Sequence, residues 1–500
     1  MSVISDWLSS ITLASVITAS QWFFLLYFIL LALGYLSLNL SALSVIRRHS
    51  RAGQREHLPQ PYYPLLPPVS VLVPAYNEEA NITASVQAML QLTYPEHEVI
   101  VINDGSKDGT LAELIRAFDL HVIPETTGDS LPTAAVEAVY RSRSHPSLRV
   151  IDKLNGGKAD ALNAGINYSR YPLFCGVDAD SIIQRDSLLR IVRAFLDDPD
   201  TIAAGGTVRI ANGSHIDDGV LLEAKLPTRW LPLIQVLEYL RAFLFGRLGW
   251  EPVNGLLIIS GAFGVFSKEA VMEVGGYRHK TIGEDMELVV RLHRFFRQQR
   301  RPYRIHFVPD PVCWTEAPEN LASLRSQRIR WQRGLLESLA ANWRLCFNRR
   351  GGVVGWLAFP FMLLFEVLGP IIELIGYVFF IVAFLTGALQ LSSFLAFLLV
   401  AIGLGVLMSV TALLIEEMSF RVYPGQRPIF KLFGVALVEN FGYRQMTTWW
   451  RVRGTFQWLR RRQGQWGTIQ RSGSLHTTKA KKPDEPLPPS SQAGDDQSPH

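Results

Sequence analysis

Cysteine is scarce in this chain of 500 residues: Cys175, Cys313 and Cys346 are odd in number and far apart. This argues against a disulfide framework and against a metal site built on thiolates, and it fits a reducing compartment. A strong excess of one charge is also lacking. The 49 Lys and Arg stand against 44 Asp and Glu, for a net charge of +5. The small basic excess comes largely from arginine clusters beside apolar segments, which a membrane surface explains better than nucleic acid. No basic patch interleaved with aromatics, of the kind that tracks single strands, is present. No nucleic-acid partner is therefore expected. The short, mixed N-terminus shows no clear cleavage site, which speaks for an uncleaved signal anchor rather than a removed signal peptide.

The hydrophobic share of 48% is ordinary. Its distribution is more telling. The segment "WFFLLYFILLALGYLSLNLSALSVI" (22–46) is long enough to span a bilayer. Residues 7–20 are apolar but rich in Ser and Thr, suiting a weak first span or an interfacial helix. Arg47, Arg48, Arg51 and Arg55 follow, and the positive-inside rule puts them, with the domain after them, in the cytosol. Residues 353–415 hold at least two further spans, best placed at 371–388 and 391–415. The segment 353–369 carries Pro360 and Glu366, and Glu373 lies just beyond. Carboxylates at membrane depth are costly, so these should face a polar interior or the interface. Residues 429–443 are weaker, interrupted by Lys431 and Glu439, and the basic run 451–462 returns to the cytosol. The expected organisation is an N-terminal transmembrane region (1–50), a middle domain (65–350), a transmembrane and interfacial region (351–465) and a disordered tail (466–500). A multi-pass membrane protein follows from this layout.

From Val69 the pattern alternates. "VSVLVPAYNEE", "EVIVINDGS" (98–106), "LRVID" (148–152) and "LFCGVDAD" (173–180) read as buried strands, with helical stretches near 80–91, 108–118 and 157–168 between them. Such alternation predicts an α/β, Rossmann-like sheet, mostly parallel and covered on both faces. Ligands sit outside the carboxyl ends of such strands. The acids stand there too: Glu78 and Glu79 after the first strand, Asp104 after the second, Asp178 and Asp180 after the fourth. One such acid is ordinary helix capping; acids after three strands converge on a cation or on polar groups of a nucleoside. The pair Asp178 and Asp180 suits a hard divalent ion shared with substrate phosphates.

"NGGKADALN" (155–163) opens a helix, with two glycines for close backbone approach, Lys158 as a cation and Asp160 in the first turn. It lacks the earlier glycine and the hydroxyl of a P-loop, so a plain loop and helix start is the competing reading. In "TIGEDMELVVRLHR" (281–294), Glu284 and Asp285 either match a helix dipole or supply a general base. In "SQRIRWQRGLL" (326–336), Gln327, Arg330 and Trp331 share one helix face, while Arg325, Arg328 and Arg333 are expected to be interfacial charges beside the membrane.

Taken in order, "VSVLVPAYNEE", "NDGS", "NGGKADALN", "DAD", "SGAFGVF", "GED" and "QRIRW" resemble the family-2 inverting glycosyltransferases, and more closely their membrane-embedded processive branch of cellulose, hyaluronan and poly-N-acetylglucosamine synthases. The resemblance covers roughly residues 65–350, and "FGYRQMTTWWRVRG" (441–454) looks like the C-terminal part of the poly-N-acetylglucosamine type. It implies a GT-A fold flanked by transmembrane helices and a UDP-sugar donor. Glu78, Asp104, Lys158 and Asp160 would lie near the nucleoside. Asp178 and Asp180 would serve Mg2+ or Mn2+, Asp180 as the direct ligand. Asp285, with Glu284 beside it, matches the base; Gln327, Arg330 and Trp331 match the signature that binds the diphosphate and the acceptor sugar. Gly283 departs from the Thr often found before the acid pair, which leaves the acceptor-side contact open. The expected chemistry is attack by an acceptor hydroxyl opposite UDP, with inversion to a β-linkage. A growing polysaccharide, a lipid or a lipid phosphate are the candidate acceptors, and an accessory export subunit is a candidate partner. A catalytically inactive membrane scaffold is the alternative from another class.

Overall fold

Among the described residues, ten strands form one mixed sheet, in the order β3-β4-β5-β2-β1-β6-β11-β8-β12-β7. The computed structural model describes residues 13–53, 66–126, 131–217, 219–279 and 281–460. The strands are β1 (Val69–Ala75), β2 (His97–Asp104), β3 (Leu120–Ile123), β4 (Val136–Ser142), β5 (Leu148–Lys153), β6 (Leu173–Val177), β7 (Ile182–Ile183), β8 (Thr201–Ile210), β11 (Phe263–Ser267) and β12 (Arg304–Thr315); β9 (His215–Asp217) and β10 (Val220–Glu223) pair apart. The centre β5-β2-β1-β6 is parallel, as the apolar runs predict. The flanks correct the expectation of a mostly parallel sheet: β3 and β4 pair antiparallel on one side, and β11 runs antiparallel between β6 and β8 on the other. Helical crossovers impose parallel pairing only where they occur.

The strand centres are buried on both faces, with Val71, Leu72, Val73, Ile100, Val101, Ile102 and Phe174 fully enclosed. Helices Ile82–Leu90, Thr110–Phe118 and Lys158–Tyr168 lie where the sequence places them. At the base of the sheet, Arg149 is enclosed and holds Glu98 at 2.7 Å and Glu125 at 2.6 Å.

Among the described residues, three helices are long and apolar enough to cross a membrane: Ser15–His49, Val354–Leu385 and Leu391–Ser419. Residues 353–369 are therefore the first part of one long helix rather than a segment apart from 371–388. Its early turns widen to π geometry at Val354–Ala358 and Met362–Val367, around Pro360. Two shorter helices follow, Gln426–Val438 and Tyr443–Leu459. The second packs on Leu321–Ala341, where Arg451 Nε donates to Gln332 Oε1 at 2.9 Å. The tail expected over 466–500 and Arg55 lie outside the described residues.

Candidate active site

The carboxyl ends of β1, β2 and β6 open onto a cavity of about 2140 Å³. Its wall holds Glu78, Asp104, Lys158, Asp178, Asp180, Glu284 and Asp285, together with Gln327, Arg330 and Trp331. Ten of the eleven residues singled out from the sequence thus share one space. Asp160 is the exception: it is buried, lies 2.6 Å from Lys153 and accepts from the Ala134 backbone at 3.0 Å. Asp104 reaches the cavity but is also consumed inward. It holds Lys153 Nζ at 2.6 Å and accepts from the Gly156 and Gly157 backbones at 2.9 and 2.7 Å. Lys153 is wholly enclosed, so this triad fixes the glycine loop to the end of β2. Sequence reading missed Lys153, whose only signal is a lysine closing the strand LRVIDK just before the glycine loop.

Lys158, in the first turn of its helix, links the donor-side acids to the acid pair. Its Nζ lies 2.5 Å from Asp178 Oδ1, 3.6 Å from Glu284 Oε1 and donates to Gly261 O at 3.2 Å. Burial works against its charge, but Asp178, Glu284 and Asp285 outweigh it and hold the ammonium protonated well above the usual range. Gly261, from the "SGAF" turn, donates its backbone N–H to Asp285 Oδ2 at 3.1 Å. A Cβ at Gly261 would meet Lys158 Nζ at 3.0 Å and Asp285 Oδ2 at 3.4 Å, so a side chain there would press on both groups.

Glu284 and Asp285 begin the helix Glu284–Gln299, with Glu287 in the same first turn. All three acids stand where the positive end of the helix dipole favours a carboxylate. Glu287 is fully enclosed, paired with Arg291 at 2.9 Å, and anchors the helix. Asp285 stays half-buried and faces the cavity. Glu284 is buried, and this desolvation raises its carboxyl to about 7; Lys158 opposes the rise and Asp285 adds to it. Arg330 is lowered by burial, with Glu284, Asp178 and Asp285 acting in the other direction. Its guanidinium therefore sits within the field of Asp178, Glu284 and Asp285.

The signature helix corrects the division of arginines drawn from its sequence. Arg325 is exposed, but Arg328 and Arg333 are buried. Arg328 Nη2 lies 2.5 Å from Glu238 Oε2, and its guanidinium stacks over Trp331 with Cζ 4.5 Å from the ring centroid. Trp331 keeps 46% exposure and is the open surface of the group. Helical spacing alone could not show that Glu238 lies 90 residues away in sequence but within reach in space.

Beyond Trp331 the cavity runs on between the apolar helices, past Tyr35, Glu366, Glu373, Glu439, Arg444 and Arg451. Each carboxylate here has an arginine: Glu366 with Arg451 at 2.9 Å, Glu373 with Arg444 at 2.8 Å, and Glu439 with Arg241. Tyr35 also donates to Glu366 at 2.5 Å. The costly carboxylates of the apolar segment thus face a polar interior, as expected.

Asp178 and Asp180 stand two residues apart in the turn after β6, and among the described residues no group of three or more His, Cys, Asp or Glu is gathered closely enough to hold an ion. That donor set fits a hard divalent ion completing its shell with substrate phosphates and water, and does not fit an all-protein cage.

Residues 67–334 match the family model "Glycosyltransferase like family 2". Among curated proteins, the chain is 30% identical over 267 residues to a poly-beta-1,6-N-acetyl-D-glucosamine synthase of Staphylococcus epidermidis, covering 53% of this chain and 54% of the relative. It is 31% identical over 269 residues to the protein of that name from Staphylococcus aureus strain N315, with the same two shares covered. The chain thus spans about half the length of the curated relatives it matches. Among solved structures, the mannosyltransferase PcManGT from Pyrobaculum calidifontis, in complex with GDP-Man and Mn2+, aligns at 18% identity and a TM-score of 0.45, covering 86% of this chain and 97% of that one. The mixed sheet is the GT-A glycosyltransferase fold, and the family match covers all of its strands. This chain belongs to glycosyltransferase-like family 2.

Proposed function

We propose that the chain is a membrane-bound inverting glycosyltransferase that moves a sugar, N-acetylglucosamine or glucose, from UDP to a growing β-linked polysaccharide. The observation that carries this reading is the continuity of one cavity from Asp178, Asp180 and Asp285 past Trp331 to Glu366 and Glu373 among the apolar helices. A chain extended at Asp285 has a polar path leading away from the reacting centre, which suits processive extension coupled to export. The catalytic domain faces the cytosol in this reading, because Arg47 and Arg48 close the first span on that side.

Asp285 takes the proton of the acceptor hydroxyl, which attacks the anomeric carbon from the face opposite the leaving UDP. The Gly261 N–H and Lys158 hold the base and the adjoining acids in place. Arg330 can bind diphosphate oxygens with two parallel N–H groups as charge gathers there. Asp178 and Asp180 would hold Mg2+ or Mn2+, which when bound neutralises the diphosphate. Glu78 and Asp104 line the nucleoside end.

Membranes supplied with labelled UDP-N-acetylglucosamine and UDP-glucose test the proposal. A long, lipid-free polymer made by the parent chain and lost in Asp285→Asn is expected. Leu31, Met362 and Leu404 also line the cavity and favour a second reading, in which a lipid-borne acceptor enters between the helices; a single-sugar lipid product would select it. No transfer from either donor would refute both.

A further inference from the structure

We propose that Tyr239 and Arg247 extend the Trp331 surface into a track for the acceptor, held in line by the enclosed Phe243 between them, with Arg247 donating a hydrogen bond to an uncharged oxygen of the acceptor sugar. This rests on the glycosyl-transfer reading above. Tyr239 and Phe243 stand four residues apart on the helix Trp230–Leu244, and Arg247 follows at the same spacing just past its end. With Arg328 and Trp331 they make a continuous ladder along the cavity wall. Arg328 covers Trp331 at 4.5 Å; the Trp331 and Tyr239 centroids are 6.5 Å apart, and those of Tyr239 and Phe243 5.7 Å apart at 32°. Arg247 closes the ladder with Cζ 3.8 Å from the Phe243 centroid. Sugar rings offer C–H faces that pack on such aromatic surfaces, and the cations at both ends make the rings better bound and more rigid.

The two ends differ in what they have left to give. Arg328 is ion-paired to Glu238. The Nη1 of Arg247 is buried with no hydrogen-bond partner among the described residues. A buried donor left unmade is costly, and a ligand oxygen is what can satisfy it. Arg247 and Asp285 line the same cavity, and Asp285 favours the Arg247 charge against the burial that opposes it. The diphosphate has its own partners in Arg330 and the aspartates, so Arg247 is left for the acceptor. Carboxylates and arginines are paired along the rest of the path, which therefore offers no net charge to attract an ionic polymer.

Arg247→Leu and Arg247→Lys in the purified full-length chain test this, with UDP-N-acetylglucosamine as donor and short N-acetylglucosamine or glucose oligosaccharides as acceptors. In Arg247→Leu the acceptor KM should rise about tenfold or more, as for a lost charged hydrogen bond, with a much smaller change in donor KM. Lys should restore part of it. A penalty confined to N-acetylated acceptors assigns the acyl oxygen, and an equal penalty on both assigns a ring hydroxyl; each supports the proposal. An unchanged acceptor KM, or donor and acceptor KM rising together, overturns it. If the parent chain releases no UDP, the functional reading fails instead, and calorimetric binding of the oligosaccharides to parent and Arg247→Leu still decides the role of Arg247.

Discussion

Gly283, which opens the helix of Asp285, lies backbone to backbone against Gly334 in the helix of Arg330: a Cβ on either would stand 3.0 Å from the Cα of the other. This contact sets how far the base can be from the arginine. It also gives a physical reason for glycine at both positions. Gly334→Val should force the two helices apart, with an overpacking cost of roughly 1–3 kcal/mol and a fall in turnover of at least tenfold. Thermal unfolding and transfer assays on the membrane-inserted variant check both.

Glu284 gives the site a pH dependence. Its carboxyl is raised from 4.5 to about 7 chiefly by burial, so between those values the folded chain holds a proton that the unfolded chain has released. Ionising Glu284 therefore opposes folding. The stability of the parent relative to Glu284→Gln should fall as pH rises from about 4.5 to about 7 and level off above. Melting curves of both proteins across this window measure it, and a difference independent of pH would contradict the assignment.

Arg330→Ala should lose transfer by on the order of a hundredfold or more while the protein still inserts, because it removes charge stabilisation at the leaving diphosphate. Arg328→Ala should fail differently. It strands Glu238, whose side chain is 21% exposed, and uncovers Trp331. A stability loss of up to about 3 kcal/mol is expected, the low end for a buried pair because Glu238 keeps some water. Transfer rates normalised to folded protein separate the two variants.

Lys153→Met should be the single change most damaging to the anchoring of the glycine loop. It leaves Asp104 and Asp160 buried without their shared cation, at a cost of roughly 3–5 kcal/mol. Expression and melting temperature report it, and Lys153→Arg should not rescue fully, since a fork cannot replace a point charge in an enclosed pocket.

Chelation should stop transfer, and added Mn2+ or Mg2+ should restore it in the parent. Asp180→Ala should need a higher ion concentration, because only Asp178 then remains of the pair. Activity titrated against ion concentration checks this; indifference of the parent to chelation would refute the two-carboxylate site.

Much of the fold and site was legible in the chain itself. Apolar runs ending in acids located β1, β2, β5 and β6 and the rim where Glu78, Asp104 and Asp178 gather, because buried parallel strands leave little sequence freedom and place ligands at one end. The strands β8, β11 and β12 were harder, since their pairing comes from long-range contacts that no local period records. Asp160 and Asp104 show the limit for single residues: sequence places an acid beside a glycine loop but not the enclosed Lys153 that consumes it.

By itself the sequence determined the class of the molecule: an α/β domain with acids at its strand ends, followed and preceded by helices apolar enough to cross a membrane. Local periodicity and hydrophobicity suffice for that, since each element carries its own pattern. Tertiary structure alone decided which charges face the reaction and which hold the scaffold. Arg328 and Arg330 are two residues apart on one helix, yet the first is committed to Glu238 while the second stands within the field of Asp178, Glu284 and Asp285. A 100° turn per residue separates their directions, and only the packing of distant segments determines what each direction meets.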